Sequence, residues 1–60
     1  MTGEDLARIF HEEYERLAPD FGYKTRDETA VPWERVPEQN KKLMIATADS
    51  VLGRIVSDFR

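Results

Sequence analysis

Apolar positions along this chain fall into two runs with helical spacing, separated by a stretch punctuated by proline and glycine. In the first run Leu6, Ile9, Phe10, Tyr14 and Leu17 recur at intervals of three and four, which lines one face of a helix. Thr2 stands at the N-cap position with Asp5 three residues on, a short-armed capping box. Glu4 and Asp5 then occupy the first turn, where the helix dipole favours negative charge. Pro19 stops the run at Leu17 or Ala18, so the pattern predicts a helix over 3–18. Glu4 with Arg8, and Glu12 with Arg16, are spaced to pair at i,i+4 on its outer surface.

The second run begins at Pro37, a favoured first helical residue, followed by Glu38 and Gln39. Met44, Ala48, Val51, Ile55 and Phe59 form a stripe that Ile45, Leu52 and Val56 widen, predicting a helix over 37–58. That stripe is broader than one short partner helix needs. Met44, Val51, Leu52, Ile55 and Phe59 are therefore the candidate interface residues. Gly53 lies inside the helix, either as a point of close helix crossing or as a plain surface position.

Between the helices, Phe21-Gly22-Tyr23 places two aromatics around a flexible residue, and Thr29-Ala30-Val31 reads as a short extended piece. So long a connection without regular structure is unusual in a small domain. Its aromatic content predicts that it folds back onto the helices, with Trp33, between Pro32 and the Glu34–Pro37 stretch, as the apolar anchor. The expected fold is a single mostly-α domain over 1–60, two helices joined by a folded aromatic and proline-rich connection.

Composition narrows the function classes. A chain of 60 residues hides only about 60% of its unfolded surface and is marginal on its own. It has no cysteine and one histidine, which removes disulfides and thiolate metal sites as staples. Self-association or docking on a larger protein is the remaining common source of stability. The net charge of −3 lacks the basic excess of a nucleic-acid binder, and Lys41-Lys42 is too small a cluster to reverse that. The longest apolar run, Leu43-Met44-Ile45-Ala46, is far short of a membrane span. The N-terminus is acidic where a secretion signal is basic, so a cytoplasmic protein is expected.

Catalytic patterns are missing. His11-Glu12 resembles the start of H-E-x-x-H, but the second histidine position is Glu15. The carboxylate that E-x-x-H requires is Arg8. A histidine packed beside Ala7 and Tyr14, hydrogen-bonded into the middle segment, is the simpler expectation. Ser50 and Ser57 sit in no nucleophile elbow, and the three glycines form no phosphate loop. The chain is read as non-catalytic, with no cofactor and no metal. One constellation suits a ligand: Tyr23, Lys24, Arg26, Asp27 and Trp33 combine aromatic faces with cations, as a small nucleotide pocket would. The alternative is that Tyr23 and Trp33 are core and the charges are a solvated loop.

Taken together, Ala7-Arg8-Ile9-Phe10-His11-Glu12, Phe21-Gly22-Tyr23-Lys24, Arg26-Asp27, Val31-Pro32-Trp33-Glu34-Arg35-Val36-Pro37-Glu38 and the lysines at 41 and 42 resemble the ryanodine-receptor repeat (RyR) domain. The likeness is to its short bacterial and phage versions, and its most specific part is Pro32 to Glu38. The stretch between Asp27 and Pro32 is shorter than in fuller repeats, and Leu43-Met44 stand where Asp-Arg is common. The resemblance implies a helical, non-catalytic domain with a packed aromatic loop and a role in protein assembly. The expected function is a small accessory interaction protein, phage- or prophage-encoded, acting as a homo-oligomer or with a larger protein partner. In some bacterial relatives it implies sensing of nucleotide-like ligands. That alternative would use Tyr23, Arg26, Asp27 and Trp33, although the position of Trp33 between two prolines suits a hydrophobic plug better than a ligand contact.

Overall fold

The computed structural model describes residues 1–27 and 29–58. Helix α1 spans Gly3–Leu17 and helix α2 spans Glu38–Asp58, each within one residue of the predicted bounds. The fold is mostly α, and the described residues contain no strand.

The start of α1 follows from its sequence. Asp5 N–H donates to Thr2 Oγ1 at 3.1 Å, and Thr2 N–H donates back to Asp5 Oδ2 at 3.2 Å, closing the capping box. These bonds and Arg8 hold the Asp5 carboxyl below its ordinary value of 3.8. The outer ion pairs differ from the expected i,i+4 set. Arg8 reaches Asp5 and Arg16 reaches Glu13, both at i,i+3.

After α1 a 3-10 turn over Ala18–Phe21 ends at Gly22, whose φ of 79° lies in the left-handed region. Tyr23 N–H then donates to the Ala18 carbonyl at 3.0 Å, reversing the chain. The segment expected to be extended is a turn instead. Thr29 N–H, Ala30 N–H and Thr29 Oγ1 all donate to the Arg26 carbonyl at 2.9–3.1 Å. A second 3-10 turn, Trp33–Arg35, brings the chain to Pro37, whose carbonyl accepts from Lys41 N–H at 2.9 Å and so caps α2.

The connection folds back through Trp33 rather than through all its aromatics. Trp33, 6% exposed, packs with Ala7, Val36 and Ala48, and Leu6, Val31, Met44 and Ile45 close around them. Lys41 places Nζ 5.5 Å from the Trp33 ring centroid and donates to the Glu34 carbonyl at 3.4 Å. Phe21 and Tyr23, by contrast, point to solvent.

The predicted apolar face of α1 is not its packed face. Gly3, Ala7 and His11 turn inward, while Ile9, Phe10, Tyr14 and Leu17 are exposed and only Leu6 is half-buried. Small residues permit a close approach of the antiparallel helices. A Cβ on Gly3 would lie 1.7 Å from Asp49 Oδ1, so a larger residue there displaces the Asp49 side chain. Gly53 has open space around it and marks no helix crossing.

Two outcomes are expected. Trp33→Ala should cost about 3–5 kcal/mol and abolish the cooperative thermal transition seen by circular dichroism. Because the folded Asp5 carboxyl titrates below its unfolded value, the capping contribution is present above the ordinary aspartate range and disappears as pH falls through the folded value. Asp5→Asn should therefore flatten the acid limb of the urea-midpoint profile below pH 3.8 while sparing its neutral shape.

Candidate interaction surface

Because α1 packs through glycine, alanine and histidine, its larger apolar side chains lie at the edge of the helix contact. Leu6, Phe10 and Leu17 sit about 60–100° around the helix from Ala7. On α2 the run Leu43-Met44-Ile45-Ala46 is apolar on adjacent faces. Ile45 packs against the core, while Leu43 turns out on the other side. Phe10 is 62% exposed and Leu43 is 69% exposed.

These side chains bound a groove of about 390 Å³ between the helices, formed by Leu6, Phe10, Leu43, Met44, Val51 and Ile55 with Thr47 and the buried Ala7 and Ala48 also lining it. No residue of the Trp33–Val36 turn reaches it. At Phe10 the groove meets a second hollow of about 330 Å³, walled by Tyr14, Leu17, Phe21 and Tyr23 with Glu13 at the rim. The Phe10 and Tyr14 rings stack 5.9 Å apart, and Phe10 lines both hollows. The connection thus supplies the Trp33 and Val36 packing, and a second, apolar face carries no layer of its own.

The candidate interface residues fall largely on this surface. Met44, Val51 and Ile55 line the groove, Leu52 is half-buried beside it in sequence, and Phe59 lies outside the described residues. Leu6, Phe10 and Leu43 were not among the candidates. Phe10 was hidden because the stripe on α1 reads as core. Leu43 carried a signal, since an apolar run of four on a helix cannot face one direction only.

The candidate ligand residues are divided among separate places. Tyr23, Lys24 and Asp27 share a shallow depression with Glu15 and Thr25. Arg26 lines a different one with His11, Glu15, Thr29 and Asn40. Trp33 is in the core, the plug its position between prolines allowed. Glu15 borders both depressions and accepts a 2.7 Å hydrogen bond from Thr25 Oγ1, which sets a carboxylate between the candidate cations.

His11 has a structural partner. Its ring is 3% exposed, tilted 58° against Trp33 at 5.9 Å, and Nε2 lies 2.6 Å from the Val31 carbonyl. A carbonyl only accepts, so Nε2 carries the proton and donates. This bond ties the connection to α1 just before Trp33. Among the described residues there is no group of three or more histidine, cysteine, aspartate or glutamate side chains able to hold a metal. None of the helices in those residues is long and apolar enough to cross a membrane.

No family model matches the chain, and neither a curated protein nor a solved structure matches it. The likeness to the RyR domain therefore rests on the residues quoted for it.

His11→Leu keeps the bulk of the ring but deprives the Val31 carbonyl of its donor. It should cost about 1–3 kcal/mol in urea denaturation followed by Trp33 fluorescence. An unchanged midpoint would show that the bond contributes nothing to holding the connection.

Proposed function

We propose that this chain is a small non-catalytic interaction module whose working surface is the apolar face running from Phe10 and Leu43 to Val51 and Ile55. The observation that carries this reading is an inversion of ordinary packing. Glycine, alanine and histidine fill the inward positions of α1, while Phe10 and Leu43 stand in solvent. Contiguous apolar surface of this kind, rather than scattered single residues, is what marks protein-binding sites. The groove between two helices suits an amphipathic helix laid along it, with anchors at helical spacing. A role in protein assembly is also what the resemblance to the RyR domain implies. The nucleotide-sensing alternative has no comparable support, since its five residues are split between the core and two depressions that share a carboxylate.

Amide-proton NMR of the labelled chain tests this directly. An amphipathic helical peptide with leucines at i, i+3 and i+7 should shift the amides of Leu6, Phe10, Leu43, Thr47 and Val51. A panel of common nucleotides should leave residues 23–33 unmoved. Nucleotide shifts confined to 23–33, with no response to the peptide, would overturn the reading.

A further inference from the structure

We infer that the occupant of this face is a second copy of the same chain, its α2 antiparallel to the first across a two-fold axis near Val51. The inference rests on the interaction-module reading and adds the identity of the occupant.

The first argument is area. The chain exposes 5016 Å². A compact monomer of 7.0 kDa exposes about 4,000 Å². The excess of about 1,000 Å² compares with the roughly 800 Å² that each partner loses in a standard stable interface. Shape agrees with area. The radius of gyration is 12.6 Å and the extents are 38 × 26 × 14 Å, against about 10.4 Å for a compact chain of this length.

The second argument is that one chain carries both halves of the fit. Gly3, the first residue of α1, lies against Asp49, so α1 ends there and α2 continues to Asp58 with no helix beside it. Ile55 and Val56 are exposed on this projecting end. The groove runs along the same apolar face from Phe10 and Leu43 to Val51 and Ile55, so the projecting end carries its last wall. With the axis at Val51, Ile55 of each copy stands opposite Thr47 of the other, one turn to either side. Each projecting helix end then enters the other copy's groove. Such a contact uses the same patch twice and closes on itself, which is the requirement for a two-fold dimer. Gly53, about 160° around α2 from Val51, stays on the outside.

The experiment combines sedimentation velocity over about a hundredfold range of concentration with single-cysteine crosslinking. The natural chain has no cysteine, so each introduced thiol is the only one. The wild type should pass from one to two chain masses as concentration rises. Val51→Cys should form a covalent dimer on mild oxidation, since residues at the axis face their own copies, while Gly53→Cys should not. Ile55→Glu should weaken dimerisation at least about tenfold, because the carboxylate would be buried in an apolar groove. Its far-ultraviolet spectrum should show the helices retained. If Ile55→Glu unfolds, the crosslinking pair still decides the question in an otherwise native chain.

A wild type that stays at one chain mass throughout, with equal crosslinking at 51 and 53, overturns the second-copy inference. In that event the peptide titration separates the two ideas. Shifts at Phe10 and Leu43 would leave the interaction face standing with a different helical partner, and their absence would remove both.

Discussion

Trp33 sits where α1, α2 and the connection meet, and the rest of the structure depends on that contact. The ring covers Ala7 and Ala48, the two small residues through which the helices approach, and Val36 extends the cover. Around it the polar groups are arranged to hold the ring in place. His11 donates to the Val31 carbonyl on one side, and Lys41 lies over the ring while bonding the Glu34 carbonyl on the other. A connection of this length would otherwise be costly to order. One aromatic side chain with two polar clamps replaces the third helix that a bundle of this size would normally use.

That economy has a cost elsewhere. A single indole covers one side of a two-helix layer and nothing more, so the opposite side keeps its apolar residues in water. The excess of exposed surface over that of a compact monomer follows from the same arrangement. A helix pair reaches stability by burying each apolar stripe against another layer. In this chain the connection supplies one such layer, and the partner proposed above would supply the other.

Much of the fold was legible in the sequence, and for specific reasons. Thr2, Asp5, Pro19 and Pro37 act through local backbone chemistry, and they marked both ends of α1 and the start of α2 to within a residue. Trp33 was legible as the anchor because no other residue brings as much apolar area between two turn-forming prolines. What the sequence concealed was direction. A stripe of Leu6, Phe10, Tyr14 and Leu17 on α1 looks the same whether it faces its own chain or another, and the true contact runs through Gly3, Ala7 and His11, residues with little hydropathic signal. The turn at 26–30 was hidden because three donors converge on one carbonyl, a feature set by tertiary placement rather than by residue type. The candidate interface on α2 was half visible. The excess width of its stripe was plain, whereas the contribution of Phe10 and Leu43 needed the relative placement of the helices.

The thinness of the molecule bears on how it breathes. With a smallest extent of 14 Å, the chain has almost no interior in which an amide can be shielded by several layers of atoms. Hydrogen-exchange protection should therefore be confined to a short belt around Ala7, His11 and Ala48, where the helices and the indole cover one another. The last turns of α2 would open without disturbing that belt. Docking a partner on the bare face would then be felt first as slowed exchange in those turns, joining two regions that open separately into one cooperative unit.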